Sequence, residues 1–223
     1  MLAITVIALA VAVAAHPPLQ RAVANVVTSC VQPNMAALTF DDGPYMYMDQ
    51  IVDTLDANNA KGTFFINGMN FDCIYNDDEA ARVQRTFSKG HQIASHTWSH
   101  AHLSTLSQGQ VTSEFTKTQT AIKKITGATP SFTRPPYGEY NDIVQQVASE
   151  QEQTLVIWDF DSGDSDGATV DAMKSAYDTL AASHPSNILA LNHETRRTLF
   201  TRVSRFPPRL TLCSSFPFLE ETV

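Results

Sequence analysis

The side chains best equipped for chemistry fall in five short clusters. These are Asp41-Asp42-Gly43-Pro44, Ser95-His96-Thr97-Trp98-Ser99-His100, Arg134-Pro135-Pro136-Tyr137-Gly138, Asp159 to Asp166, and Asn192-His193-Glu194. His96 and His100 stand four apart, a spacing that on a helical turn projects both imidazoles from one side, where they can close on one metal ion. Zinc peptidases place a glutamate directly after the first histidine; here that position holds Thr97, so a base must come from elsewhere. Asp41 and Asp42 leave an extended segment whose successive side chains point in opposite directions, so one carboxylate could ligate a metal while the other faces substrate. Two imidazoles, one carboxylate and an open position suit a tetrahedral zinc site with a bound water, and they suit a non-haem Fe(II) oxygenase equally. The plainer accounts are a satisfied histidine pair and a turn made by aspartates before Gly-Pro. His91, His102 and His184 are assigned no role. Asp161-Ser162-Gly163 has the form of an aspartic-peptidase triplet, but that chemistry needs two triplets in all-β lobes. A calcium loop starting at Ser162 fails because its twelfth position is Met173.

Positioning these clusters falls to an alternation of short apolar runs with amphipathic stretches. Strands are expected at 37–40, 63–66, 92–94, 131–133, 154–158 and 187–191, and helices at 48–57, 77–87, 108–125, 142–150 and 168–182. Repeated βα units force a parallel sheet with helical crossovers, either open and doubly wound or closed as a barrel. The glycine fingerprint of a dinucleotide fold is absent after the first strand, which favours the barrel. Each polar cluster follows a strand, so all of them are expected at the face formed by the strands' carboxyl ends.

The chain has 223 residues, of which 43% are apolar, and a formal net charge of −8. That balance speaks against a nucleic-acid partner, which needs a basic face. No internal run approaches the ~20 apolar residues of a membrane span, and no repeat is present. Residues 2–15 read as a secretory signal closing at Ala15, with residues 16–34 as a lead-in, so the product is expected outside the cell or in its wall. Export makes Cys30, Cys73 and Cys213 candidates for disulfides. Residues 196–223 hold five of the nine arginines and no lysine or glycine. This break after Thr195 reads as a tail foreign to the domain at 35–195. Nothing in the sequence sets an oligomeric state.

Thr39-Phe40-Asp41-Asp42-Gly43-Pro44, His96-Thr97-Trp98-Ser99-His100, Arg134-Pro135-Pro136-Tyr137-Gly138 and Leu189-Ala190-Leu191-Asn192-His193 occur in the order and rough spacing of the polysaccharide deacetylases with a NodB-type domain, carbohydrate esterase family 4. Over Met35 to Thr195 the chain resembles that family, and most of all its secreted fungal chitin deacetylases. The resemblance implies a distorted (β/α) barrel. It also implies metal-dependent removal of acetyl groups from N-acetylglucosamine units of chitin or chito-oligosaccharides, with zinc as the divalent metal and cobalt as the alternative. An acetylxylan esterase or peptidoglycan deacetylase would use the same site, and a catalytically impaired sugar-binding protein would retain its residues. By the same resemblance, Asp42, His96 and His100 would hold the metal, Asp41 would be the base, Arg134 would orient it, and His193 would be the acid, tuned by Asp164. The Tyr137 N–H would bind the oxyanion, Leu191 would line the acetyl pocket, and Trp98 would face substrate. The family often has Trp where this chain has Ser165. Its members also continue through a further helix and strand with a late cysteine, so a Cys30–Cys213 bridge is implied and the barrel is expected to be incomplete at its carboxyl end.

Overall fold

The computed structural model describes residues 23–30 and 32–196 and the backbone of 211–212. The segment read as a signal, Cys213 with its implied bridge, and nearly all of the tail lie outside the described residues. The elements are β1 (Val26–Val27), β2 (Met35–Gly43), α1 (Met48–Ala57), β3 (Thr63–Ile66), α2 (Asp77–Ser88), β4 (Gln92–Ser95), α3 (Gln108–Thr126), β5 (Phe132–Thr133), α4 (Asp142–Glu150), β6 (Thr154–Val156), β7 (Phe160–Asp161), α5 (Val170–Ala182), β8 (Asn187–His193) and β9 (Thr211–Leu212). All strand pairings are parallel, in the order β1-β6-β5-β4-β3-β2-β8-β7, with β9 pairing Met35 and Ala36 of β2. The sheet curls into the distorted barrel expected from the sequence.

Its helices begin and end where short-range chemistry dictates. The Asn141 side chain accepts from the Val144 N–H at 3.1 Å and starts α4, and Thr169 does the same for α5 through Ala172 at 3.2 Å. On α1 the buried Met48, Ile51, Val52 and Leu55 follow the spacing of one helical face and pack on the sheet. Strand β2 is buried along nearly its whole length, as a central strand with helices outside and a core inside must be. Its even-numbered residues Ala36, Leu38 and Phe40 join Phe64, Ile66 and the helices in the outer core. Ala37 faces inward with Phe65, Ala94, Phe132, Val156 and Leu189. Period-two alternation thus makes an apolar floor inside the barrel, above which the same strands carry Thr39, Asp41 and Leu191.

Two departures from the sequence reading bear on the site. Residues 16–34 are not only a lead-in, because Val26 and Val27 pair with Leu155 and Val156 and form one edge of the sheet. The run expected as one strand at 154–158 breaks after Val156, and β7 pairs instead with β8 at the other end of the strand order. Residues 157–159 make the crossing: the Ile157 N–H donates to the Val27 carbonyl at 2.8 Å, and the Asp159 N–H to the Leu189 carbonyl at 3.1 Å. Trp158, in the middle, is thereby carried to the barrel mouth. No ladder joins β1 to β7 among the described residues. The inner floor rests on Phe65, so Phe65→Ala is expected to cost about 3–5 kcal/mol of stability, read as a lowered midpoint of urea unfolding; a midpoint like the parent's would show that the floor does not carry the fold.

Candidate active site

Arg134 follows β5, is fully buried and fills the space above the apolar floor. Its Nη1 donates to Asp41 Oδ1 at 2.8 Å and to Thr39 Oγ1 at 2.5 Å, its Nη2 to the Ile157 carbonyl at 2.9 Å, and its Nε to the Val156 carbonyl at 3.3 Å. The guanidinium lies 4.2 Å from the centre of the Phe65 ring, where the ring's negative face meets its charge. Burial pushes the Asp41 carboxyl above its usual range, and the positive charges of Arg134 and His193 oppose that rise.

Strand alternation ends at Asp42. The register with β3 slips between Asp41 and Gly43, and Asp42 takes a left-handed φ of +74°. A bulge of this kind re-aims a side chain. The two carboxylates, expected on opposite sides of an extended segment, therefore line one cavity.

His96 and His100 also converge, though not by the expected helical turn. Thr97 and His100 have φ of +68° and +55°, which no α-helix admits, and the segment after β4 folds back as a loop. The buried Asn67 amide holds this loop by donating to the carbonyls of His96 and Thr97. The indole of Trp98 lies against Gly68, where any Cβ would fall within the ring, and it packs on the outer core near Tyr75. Trp98 is therefore not among the residues of the cavity wall.

The imidazoles of His96 and His100 stand 4.9 Å apart between centres, with Nε2 atoms 3.7 and 3.2 Å from Asp42 Oδ1. Tetrahedral ligation with bonds of about 2.0–2.1 Å requires donor separations of roughly 3.3 Å, so this set fits a zinc-sized cation. His96 Nδ1 lies 2.7 Å from the Arg134 carbonyl, so this nitrogen carries the hydrogen and the Nε2 lone pair faces Asp42. Burial pushes the His96 pKa down to about 3 against the pull of Asp42, keeping the ring in the neutral form that ligates. Among the described residues this is the one group of three such side chains whose donor atoms lie within 4.8 Å of one another. Asn70 Nδ2 donates to Asp42 Oδ1 at 3.3 Å from the neighbouring loop.

His193 ends β8 opposite Asp41 in register. Its Nδ1 lies 2.6 Å from Asp164 Oδ1, and its backbone N–H donates to Asp164 Oδ2 at 2.7 Å. Burial opposes charge on this ring, but the Asp164 hydrogen bond and the carboxylates of Asp41, Asp164 and Asp42 outweigh it and push the pKa up to about 9. At neutral pH His193 is therefore protonated and faces the cavity.

The cavity measures about 450 Å³, within the range of small-molecule sites. Tyr137 and Leu191 line it, and so do Trp158, Asp161, Ser165 and Asp166, which the sequence reading left without a role. Trp158 owes its place to the 157–159 crossing, which period-two patterning does not reveal. Tyr137, with φ +60°, meets His100 edge to face with 4.7 Å between ring centres and stacks on His102 at 3.9 Å between centres with 9° between planes. His102, given no role from sequence, thus belongs to the rim, where its Nδ1 lies 3.0 Å from Glu139.

Comparison with known proteins decides the family. Residues 28–156 match the polysaccharide deacetylase model. The chain belongs to the polysaccharide deacetylase family. A chitin deacetylase of Pestalotiopsis is 46% identical over 121 residues, covering 54% of this chain and 40% of that one. A peptidoglycan-N-acetylglucosamine deacetylase of Bacillus cereus is 34% identical, covering 71% of this chain and 55% of that one. The chain therefore spans about half the length of these curated relatives. The structure of the chitin deacetylase from Colletotrichum lindemuthianum superposes with a TM-score of 0.75 at 24% identity, covering 82% of this chain and 83% of that one, and so shares the fold.

Two measurements test the site of this polysaccharide deacetylase without any substrate. Chelator-treated protein is expected to take up one Zn²⁺ per chain, and His96→Ala to weaken uptake more than the about 10–100-fold typical of outer-shell changes; metal content unchanged in the variant would remove His96 from the donor set. Asp164→Asn is expected to move the NMR titration of His193 from about 9 toward or below its unperturbed 6.5. Because the folded-state value lies above the unfolded one, protonated His193 stabilises the fold below pH about 6.5, and that contribution is lost as pH rises through about 9.

Proposed function

We propose that this polysaccharide deacetylase hydrolyses the N-acetyl group of N-acetylglucosamine units in chitin or chito-oligosaccharides, releasing acetate and leaving the amine. The observation that carries the reading is one cavity holding a two-histidine, one-carboxylate donor set, a carboxylate fixed by a buried arginine, and a histidine fixed by a second carboxylate. Export, which residues 2–15 would direct, would bring the chain to such a polymer.

Asp42, His96 and His100 would hold the divalent cation, best matched by zinc, with cobalt an alternative. Bound there, such a cation polarises a carbonyl oxygen and acidifies water. Asp41 takes up the proton of the attacking water. Its burial suits it to this, because a raised carboxyl pKa makes a stronger base, while Arg134 keeps the carboxylate oriented. The Tyr137 N–H donates to the acetyl oxygen as negative charge builds there. Leu191 and Trp158 present apolar surface to the acetyl methyl, so an aromatic wall is available although position 165 is serine. An amine leaves poorly unless protonated, and His193, held by Asp164 and charged at neutral pH, supplies that proton.

The relative from Bacillus cereus keeps peptidoglycan as a second substrate reading, and acetylated xylan needs no protonated leaving group. Acetate release is therefore to be compared on chitin oligomers, peptidoglycan and acetylated xylan with added Zn²⁺. Release from chitin oligomers at the highest kcat/KM is expected, and binding without release would instead mark a sugar-binding protein. Asp41→Asn should lower turnover about 10²–10⁴-fold with metal content unchanged, and full activity in that variant would exclude Asp41 as the base.

A further inference from the structure

Glu194 is fully buried beside the catalytic cavity but outside its wall, and no step above uses it. It follows β8 directly, and its backbone N–H donates to the Asp41 carbonyl at 3.0 Å, adding one rung beyond the ladder that pairs Asp41 with His193. Its side chain turns beneath the segment after β2, where Oε1 accepts the Tyr45 N–H at 2.8 Å and Oε2 is buried without a partner. A Cβ on Gly43 would coincide with the carboxyl group of Glu194, so the glycine is required by what lies under it. Asp42, left-handed and out of register, is clamped between these contacts: Asp41 is held by the Glu194 main chain on one side, and Gly43 and Tyr45 by its carboxyl on the other.

We infer that Glu194 is a positioning residue for the cation site, the strut that fixes the bulge and so aims the Asp42 carboxylate at His96 and His100. This rests on the reading of Asp42, His96 and His100 as ligands. The reasoning is mechanical. The bulge takes Asp42 out of the β2–β3 ladder, and left-handed backbone in a non-glycine residue persists only where its surroundings over-determine it. The supports here are one hydrogen bond to Tyr45 and the close fit of a planar three-atom group against Gly43. Burial pushes the Glu194 carboxyl well above its usual range, with the Tyr45 N–H opposing; glutamine keeps the shape of the group and an oxygen that can accept that N–H.

The test measures the affinity for Zn²⁺ and the visible spectrum of the Co²⁺-loaded protein, both independent of turnover. The unmodified chain must first bind one ion; if it binds none, the ligand reading fails and not the strut. Given that, Glu194→Ala is expected to weaken Zn²⁺ binding at least ten-fold and to shift the Co²⁺ bands, with unchanged far-ultraviolet circular dichroism. Glu194→Gln should bind within two-fold of the parent with the parent's spectrum. Glu194→Met, which fills the same space but cannot accept the Tyr45 N–H, should resemble the alanine variant, and it decides the matter if the alanine variant does not fold. Parent-like affinity and spectrum in the alanine or methionine variant, or a glutamine variant as weak as alanine, would overturn the proposal.

Discussion

The site depends on a charge that the barrel cannot leave unpaired. Taking a guanidinium wholly out of water costs several kcal/mol unless its surroundings replace what water gave. Arg134 finds that replacement in Asp41, Thr39 and the carbonyls of Val156 and Ile157, with the face of Phe65 beneath. Such a pair is not by itself a source of stability; what it supplies is location. The contacts reach β2 and the end of β6, and the Arg134 carbonyl accepts from His96 at the end of β4. One side chain and its own backbone thus place the proposed base and fix which nitrogen of a proposed ligand is left open.

Above the Arg134 layer the backbone takes conformations that cost free energy. Asp42, Thr97, His100 and Tyr137 all have positive φ, and each belongs to the cavity wall or to the loop that supplies it. At about 1–3 kcal/mol apiece, these conformations are sustained by the elements below and by local clamps such as the Asn67 amide on the Thr97 carbonyl. The division of labour is physical: regular strands and helices bury apolar area and supply rigidity, and the few residues past each strand end use that rigidity to hold donors in unfavoured geometry.

The same division explains what could be read from sequence. Helix boundaries came within two residues because amphipathic spacing and cap residues such as Asn141 and Thr169 are local signals. The clustering of Asp41, Asp42, His96, His100, Arg134 and His193 was legible because parallel βα order puts all strand ends on one face. The local geometry at those ends was not. Asp41 and Asp42 share a cavity only because a bulge suspends alternation, and His96 meets His100 through two left-handed residues rather than a helical turn. Trp158 reaches the wall through a crossing that looks, in one dimension, like a continued strand. Glu194 stood out only as part of the Asn192-His193-Glu194 cluster, with no role to read, since its meaning lies in contact with Gly43, more than a hundred residues earlier.

Charge balance gives the cavity its direction. Asp41, Asp42, Asp161 and Asp166 line it and Asp164 stands behind His193, so five carboxylates face two cations, Arg134 and His193. The Asp164 hydrogen bond, with the charges of Asp41, Asp164 and Asp42, raises the affinity of His193 for its proton against the opposing effect of burial. Under the proposed function a divalent cation held by Asp42, His96 and His100 would offset much of the carboxylates' charge, and the acetamide group that would enter beside it is itself uncharged. The carboxylates would then do more than ligate and orient, because their excess is what a cation would balance.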